Sequence, residues 1–138
     1  MTIGPEVDLG SAEPGSVVAE FHSEVITREM LACYAEASGD FNPLHLDPEF
    51  ARKAGFDDVI VHGMLGMALL GRMLTARFGA ERLSHFSARF VGIVPVGETL
   101  LCRARLEVLK ANSALLALEA FTSRGAVAIT GQAHIHTG

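Results

Sequence analysis

The chain has 138 residues, with 11 Lys+Arg against 16 Asp+Glu and 49% hydrophobic residues. That length suits one domain over 1–138, with an irregular arm over 1–15, and the hydrophobic share excludes a largely disordered chain. A net charge of −5 offers no basic field for a phosphate backbone, which argues against nucleic acid as a partner.

The arm carries Pro5, Pro14 and three glycines. Val17 to Ile26 is strand-like, with imperfect alternation. Thr27 is placed to cap a helix through Ser38, whose Met30, Leu31, Tyr34, Ala35 and Ser38 follow the i, i+3, i+4 rule. Gly39 would end that helix. A polar loop follows, and Asp47-Pro48 resembles the cap and first turn of a short helix over Glu49 to Ala54, ended by Gly55.

The run His62 to Gly79 is the longest helical candidate. Its apolar residues surround the axis, the mark of a buried helix. Gly63, Gly66 and Gly71 weaken it by about 1 kcal/mol each relative to Ala, so close backbone approach is the expected compensation. The second half changes to period two. Phe86, Ala88 and Phe90 share one face, as do Leu100, Cys102, Ala104, Leu106 and Val108, then Leu116, Leu118 and Ala120, before a last strand over Ala126 to His136. Short turns at Ala111-Asn112 and Arg124-Gly125 predict an antiparallel meander. The expectation is an α+β fold in which an antiparallel sheet of about five strands curls around one long buried helix. The longest apolar stretch, Met64 to Leu74, is interrupted by Arg72 and too short to span a bilayer, and the start shows no secretory pattern. A cytoplasmic protein without a membrane partner is expected.

The chemistry concentrates in Asp40, Asn42 and His45. A loop ordered by Pro43 can bring the Asp40 carboxylate and the His45 imidazole together, where they would hold and polarise one water. The competing reading is structural: Asp40 and Asn42 each make an Asx-turn. A second feature is His62-Gly63-Met64 at the helix start. The first N–H groups of a helix lack internal partners and carry the positive dipole end, and Gly63 leaves room for a carbonyl oxygen. Such an oxyanion donor lowers a barrier by about 3 kcal/mol. A glycine required only for packing explains the position equally well, and His62 reads as a packing or capping residue.

Other candidates are weaker. His134 and His136 share a strand face but lack a third metal ligand. Cys33 and Cys102 form no CxxC or zinc spacing and read as small core hydrophobes of a reducing compartment. Arg89, Arg103, Arg105 and Lys110 could meet a phosphorylated cofactor, or simply line a solvated strand face. Nucleophile-elbow, P-loop and dinucleotide motifs are absent.

Tyr34-Ala-Glu-Ala-Ser-Gly-Asp-Phe-Asn-Pro-Leu-His-Leu-Asp-Pro-Glu-Phe-Ala51, followed by Val61-His-Gly-Met-Leu65, resembles the hydratase motif of the MaoC-like hydratase/dehydratase family. Within it, the similarity is greatest to (R)-specific enoyl-CoA hydratases, the type feeding polyhydroxyalkanoate synthesis from β-oxidation. The resemblance implies a hot-dog fold, usually dimeric, and covers nearly the whole chain in element order. It implies Asp40 and His45 as the catalytic pair, Asn42 as the loop-ordering amide and Gly63 as the oxyanion-type donor, with Met64 and Met67 as candidates for the acyl-pocket wall. Gly71 stands where some relatives have serine. The implied reaction is reversible syn addition of water to a trans-2-enoyl thioester carried by coenzyme A or acyl carrier protein. It needs neither metal nor redox cofactor, because the thioester carbonyl is the electron sink. Similarity to subunits of (3R)-hydroxyacyl-carrier-protein dehydratases leaves a heterodimer open beside a homodimer. A hot-dog thioesterase and a noncatalytic partner subunit are the remaining rivals, the first disfavoured by the Asp-x-Asn-Pro-x-His motif and the second by retention of both Asp40 and His45.

Overall fold

A computed structural model describes residues 2–3 and 9–137. Five strands of six to ten residues do most of the work: β2 (Val17–His22), β3 (Leu83–Phe90), β4 (Leu100–Leu109), β5 (Ser113–Thr122) and β6 (Val127–His136). A two-residue strand, β1 (Thr2–Ile3), pairs antiparallel with β2, so the arm expected to be irregular adds a short edge strand. The remaining described part of the arm includes a 3-10 turn at Leu9–Ser11. The sheet order is β1-β2-β4-β5-β6-β3, with every pairing antiparallel.

The meander is therefore confined to β4-β5-β6. β3 leaves the expected order and pairs with β6 at the far edge. The connection 91–99 permits this, because it is too long for a hairpin and its Pro95 bridges to Ile60 instead of to a strand.

Helix α1 (Arg28–Ser38) starts at Thr27, whose side chain accepts from the Met30 N–H at 3.2 Å. It buries Leu31 and Ala35 and ends at Gly39, which takes a left-handed φ of 77°. The short α2 (Pro48–Lys53) is capped by Asp47, as its sequence predicts. Helix α3 (Gly63–Phe78) packs against β2, β3, β4, β5 and β6. Its Leu69, Leu70, Met73 and Leu74 are buried against the inward residues of the sheet, among them Leu100, Leu116, Leu118 and Ile135. Burying each such side chain contributes about 1.5–3 kcal/mol, and this contact closes the fold.

The glycines of α3 do what their cost required. A Cβ on Gly66 would lie 2.7 Å from Ile129 Cδ1, and one on Gly71 would lie 3.2 Å from the Phe86 ring. The helix thus sits closer to the sheet than alanines would permit. A sheet curled around one helix is the hot-dog arrangement.

Two expectations need correction. The helix is not enclosed: Met64, Ala68, Arg72, Thr75 and Ala76 are exposed, because six antiparallel strands of one chain cover only one side of it. Val108 does not join the inward row of β4 but is 43% exposed, because the register with β5 shifts between Leu106 and Val108. A one-residue shift moves every later side chain to the other face.

Candidate active site

The loop between α1 and α2 is built from side chain to backbone. The Asp40 N–H donates to Ser38 Oγ at 3.2 Å, the Asn42 N–H to Asp40 Oδ1 at 3.2 Å, and the Leu44 N–H to Asn42 Oδ1 at 3.0 Å. Both Asx-turns of the structural reading therefore form. Pro43–His45 then makes a single 3-10 turn that turns His45 inward. The segment before α3 fixes this turn from the other side. The Ile60 N–H donates to the Leu44 carbonyl at 3.0 Å, and His45 Nδ1 lies 2.8 Å from the Ile60 carbonyl.

A carbonyl only accepts, so Nδ1 carries the proton and Nε2 of the neutral ring is a bare lone pair. That Nε2 stands 4.0 Å from Asp40 Oδ2. Asp40 is half exposed, while only 12% of the His45 side chain is exposed. The carboxylate thus divides its oxygens: one holds the loop and the other faces the imidazole. The structural and chemical readings of Asp40 are compatible.

His62 joins this pair, which the sequence did not indicate. It is 1% exposed, its ring stacks on His45 at 3.9 Å between centroids and 24° between planes, and Tyr34 of α1 meets it edge-on at 4.9 Å. Its Nε2 is 3.2 Å from the Asp40 carbonyl, so Nε2–H is the donor, and its buried Nδ1 has no partner among the described residues. His62 occupies the cap position of α3, yet its side chain caps nothing. Burial pushes its pKa down, against the Asp40 carbonyl, which raises it, and with the His45 ring, which lowers it further. The available sequence signal was a histidine directly before the helix start, and that alone does not distinguish a cap from a buried ring.

Asp40, His45 and His62 bring ligating atoms within 4.8 Å of one another. The two imidazoles are stacked almost parallel, so their in-plane lone pairs do not converge on one ion as tetrahedral ligation requires. The arrangement suits a hydrogen-bonded water better than a metal.

Gly63 follows as the first residue of α3, its amide among those without an intrahelical acceptor. The Phe90 ring of β3 lies where a side chain on Gly63 would go, 3.3 Å from a built Cβ. Next to it Met64 is 54% exposed, while Met67 is half-buried. Phe41, next to Asp40 in the chain, and Phe90, against Gly63, are also exposed, so apolar surface adjoins the site.

The other candidates lie elsewhere. His134 is exposed and meets His85 of β3 edge-on at 5.1 Å, and His136 is exposed one pair further along β6. Arg103 pairs with Glu20 at 3.0 Å, and Arg105 bonds the Gly15 carbonyl at 3.1 Å, so these arginines serve the outer sheet face. Arg89 is exposed on β3, and Lys110 lies in the turn after β4, near the far end of α3. Cys102 is buried as expected, but Cys33 is exposed. Two residues on from Leu31, it points about 200° around α1 from the buried row. A side chain at Gly71 would meet Phe86, so that position shapes the helix–sheet contact.

Residues 11–114 match the MaoC like domain. The (R)-specific enoyl-CoA hydratase of Aeromonas caviae is 36% identical over 107 residues, which cover 75% of this chain and 80% of that protein. The mitochondrial 3-hydroxyacyl-(acyl-carrier-protein) dehydratase of Arabidopsis thaliana is 44% identical over 88 residues, 63% of this chain and 51% of that protein. The peroxisomal hydratase-dehydrogenase-epimerase of Neurospora crassa is 34% identical over 110 residues, 80% of this chain and 12% of that protein. This chain thus spans about half of the Arabidopsis relative and a small part of the Neurospora one. Among solved structures, the (R)-hydratase from A. caviae superimposes with a TM-score of 0.79 at 33% identity, covering 93% of this chain and 98% of that one. With the family model matched across the loop, α3 and strands β2 to β4, the chain belongs to the MaoC-like hydratase/dehydratase family.

Proposed function

We propose that this chain is an (R)-specific enoyl-CoA hydratase, adding water reversibly to trans-2-enoyl thioesters to give (3R)-3-hydroxyacyl thioesters. The observation that carries the reading is the 4.0 Å span between Asp40 Oδ2 and His45 Nε2, with His45 Nδ1 tied to the Ile60 carbonyl. One water at about 2.8 Å from each acceptor bridges such a span and donates a proton to both. Its oxygen lone pairs then face the substrate.

The thioester carbonyl would accept from the Gly63 N–H at the positive end of α3, drawing charge to oxygen and making the β-carbon electrophilic. Water oxygen bonds to the β-carbon as its proton passes to Asp40. Because Nε2 of the neutral His45 ring carries no proton, the proton that Asp40 took is delivered from Asp40 to the α-carbon on the same face. The net change is one water across one double bond. Asn42 keeps its role through the loop, holding the turn that presents His45. Exposed Met64 and Phe90 suit the acyl chain beside the reacting carbons.

The 44% identity to the Arabidopsis dehydratase supports a second reading, in which the same groups run the reaction toward dehydration on an acyl-carrier-protein thioester. The proposed assembly is a homodimer. α3 leaves one side uncovered, and exposed Phe90, Val91 and Ile93 lie on the edge strand β3 and its continuation, apolar surface that association would cover.

The test is incubation of purified protein with crotonyl-CoA, following the conjugated enoyl absorbance together with free thiol. Loss of the enoyl signal without thiol release is the expected result. Thiol release would make the chain a thioesterase, and no change would make it a binding or partner-dependent subunit.

A further inference from the structure

The hydration steps above leave His62 without a task, although the ring is 1% exposed in the middle of the site. Packing alone does not account for it. Its Nδ1 is buried without a partner, a standing cost that a phenyl ring in the same space would not carry. What an imidazole supplies and a phenyl does not is the Nε2–H directed at the Asp40 carbonyl, 3.2 Å away. The same ring stacks on His45 and is followed in the chain by Gly63.

We infer that His62 is the positioning residue of this site, a neutral imidazole whose Nε2–H ties the Asp40 loop to the start of α3. The inference rests on the roles given above to Asp40 and His45. Three groups must agree in space, the carboxylate and the imidazole on the α1–α2 loop and the Gly63 amide at the start of α3. His62 holds the backbone carbonyl of the residue that carries the first, stacks on the second and is bonded to the third. Its neutrality follows from the geometry. Because Nε2 already donates, a second proton would sit on Nδ1, where no acceptor lies, and would place a cation against the face of His45. The titratable groups around the ring are Asp40 from the loop, His45 from the 3-10 turn and Tyr34 from α1.

The test uses two variants of the full chain and one measurement on the native protein. His62→Phe keeps a ring in the space and removes the donor; His62→Gln removes the ring and keeps an amide donor of similar reach. Expected for His62→Phe is a melting temperature at or above that of the native protein, a kcat for crotonyl-CoA lower by about 10- to 100-fold, and KM within about threefold. His62→Gln should recover kcat to within about threefold of native. A Phe variant with native kcat overturns the inference, as do kcat losses that follow the losses in melting temperature in both variants, or failure of both to fold. If only the Phe variant fails to fold, a folded Gln variant with kcat reduced about tenfold or more overturns it, and one with native kcat supports it. Imidazole nitrogen shifts of the native protein decide separately from turnover: an Nε2-protonated neutral ring at pH 7 is expected, and the opposite tautomer or a cation overturns it. A native protein that leaves crotonyl-CoA unchanged defeats the hydratase reading, whereas the nitrogen shifts still decide the tie between His62 and Asp40.

Discussion

Asp40 Oδ2 and His45 Nε2 face each other at 4.0 Å, too far for a direct hydrogen bond and the right span for one bridging water. The other oxygen of the same carboxylate accepts the Asn42 N–H at 3.2 Å, so the base is held by its own loop. That division of labour determines which substitutions separate chemistry from structure.

Asp40→Asn retains an amide oxygen for the Asn42 N–H while removing the negative charge opposite His45. The expected outcome is an unchanged melting temperature and a kcat reduced about 100-fold or more, as for loss of a general base. Turnover close to native would take Asp40 out of the mechanism.

His45→Ala should lower kcat far more than it raises KM, because a contact with the reacting water acts mainly in the transition state. His45→Gln should restore part of the loss through a hydrogen bond. A raised KM with unchanged kcat would make His45 a binding contact. Chiral analysis of the native product should show the 3R hand; predominantly 3S product contradicts the proposed arrangement.

The buried His62 links stability to pH. Burial holds its pKa below the ordinary 6.5, so the folded state keeps the ring neutral while the unfolded chain takes up a proton as pH falls through 6.5. The folded state then binds fewer protons, and stability contributed by the neutral ring is present above that pH and lost as pH drops toward the folded value. Melting temperature should therefore fall from pH 7 to pH 5, and His62→Gln should flatten the slope. An identical slope in the variant would assign the effect to other groups.

The two cysteines should react differently. Cys33 is exposed, whereas burial pushes the Cys102 thiol up to about 12. A thiol reagent at pH 8 should modify Cys33 in the native protein and reach Cys102 only on unfolding. Modification of both at similar rates would show that the β2–β4 part of the core opens readily.

Sedimentation at micromolar concentration should show a dimer. Ala68→Glu, on the uncovered side of α3, should shift it toward monomer, since association there would strip water from the added carboxylate. A native protein that is monomeric and fully active would show that the open side of α3 needs no cover.

Local chemistry was legible in the residues themselves. Thr27, Gly39 and Asp47-Pro48 act within a few bonds of their own position, so capping and termination follow from side-chain type alone. The same holds for the two Asx-turns and for the period-two rows of β4 and β5. The motif around Asp40 and His45 was equally visible, as was the need for a close neighbour at Gly66. Tertiary structure decided what depends on partners distant in sequence. β3 pairs with β6 because the connection 91–99 is free to cross, which strand periodicity does not encode. The bulge that exposes Val108 arises from register with β5. The open side of α3 depends on how many strands one chain can wrap around it. His62 looked like a cap because its sequence neighbours are those of a helix start. Only the fold brings the Asp40 carbonyl and the His45 ring against it, and buried contacts between segments are a property of packing rather than of spacing.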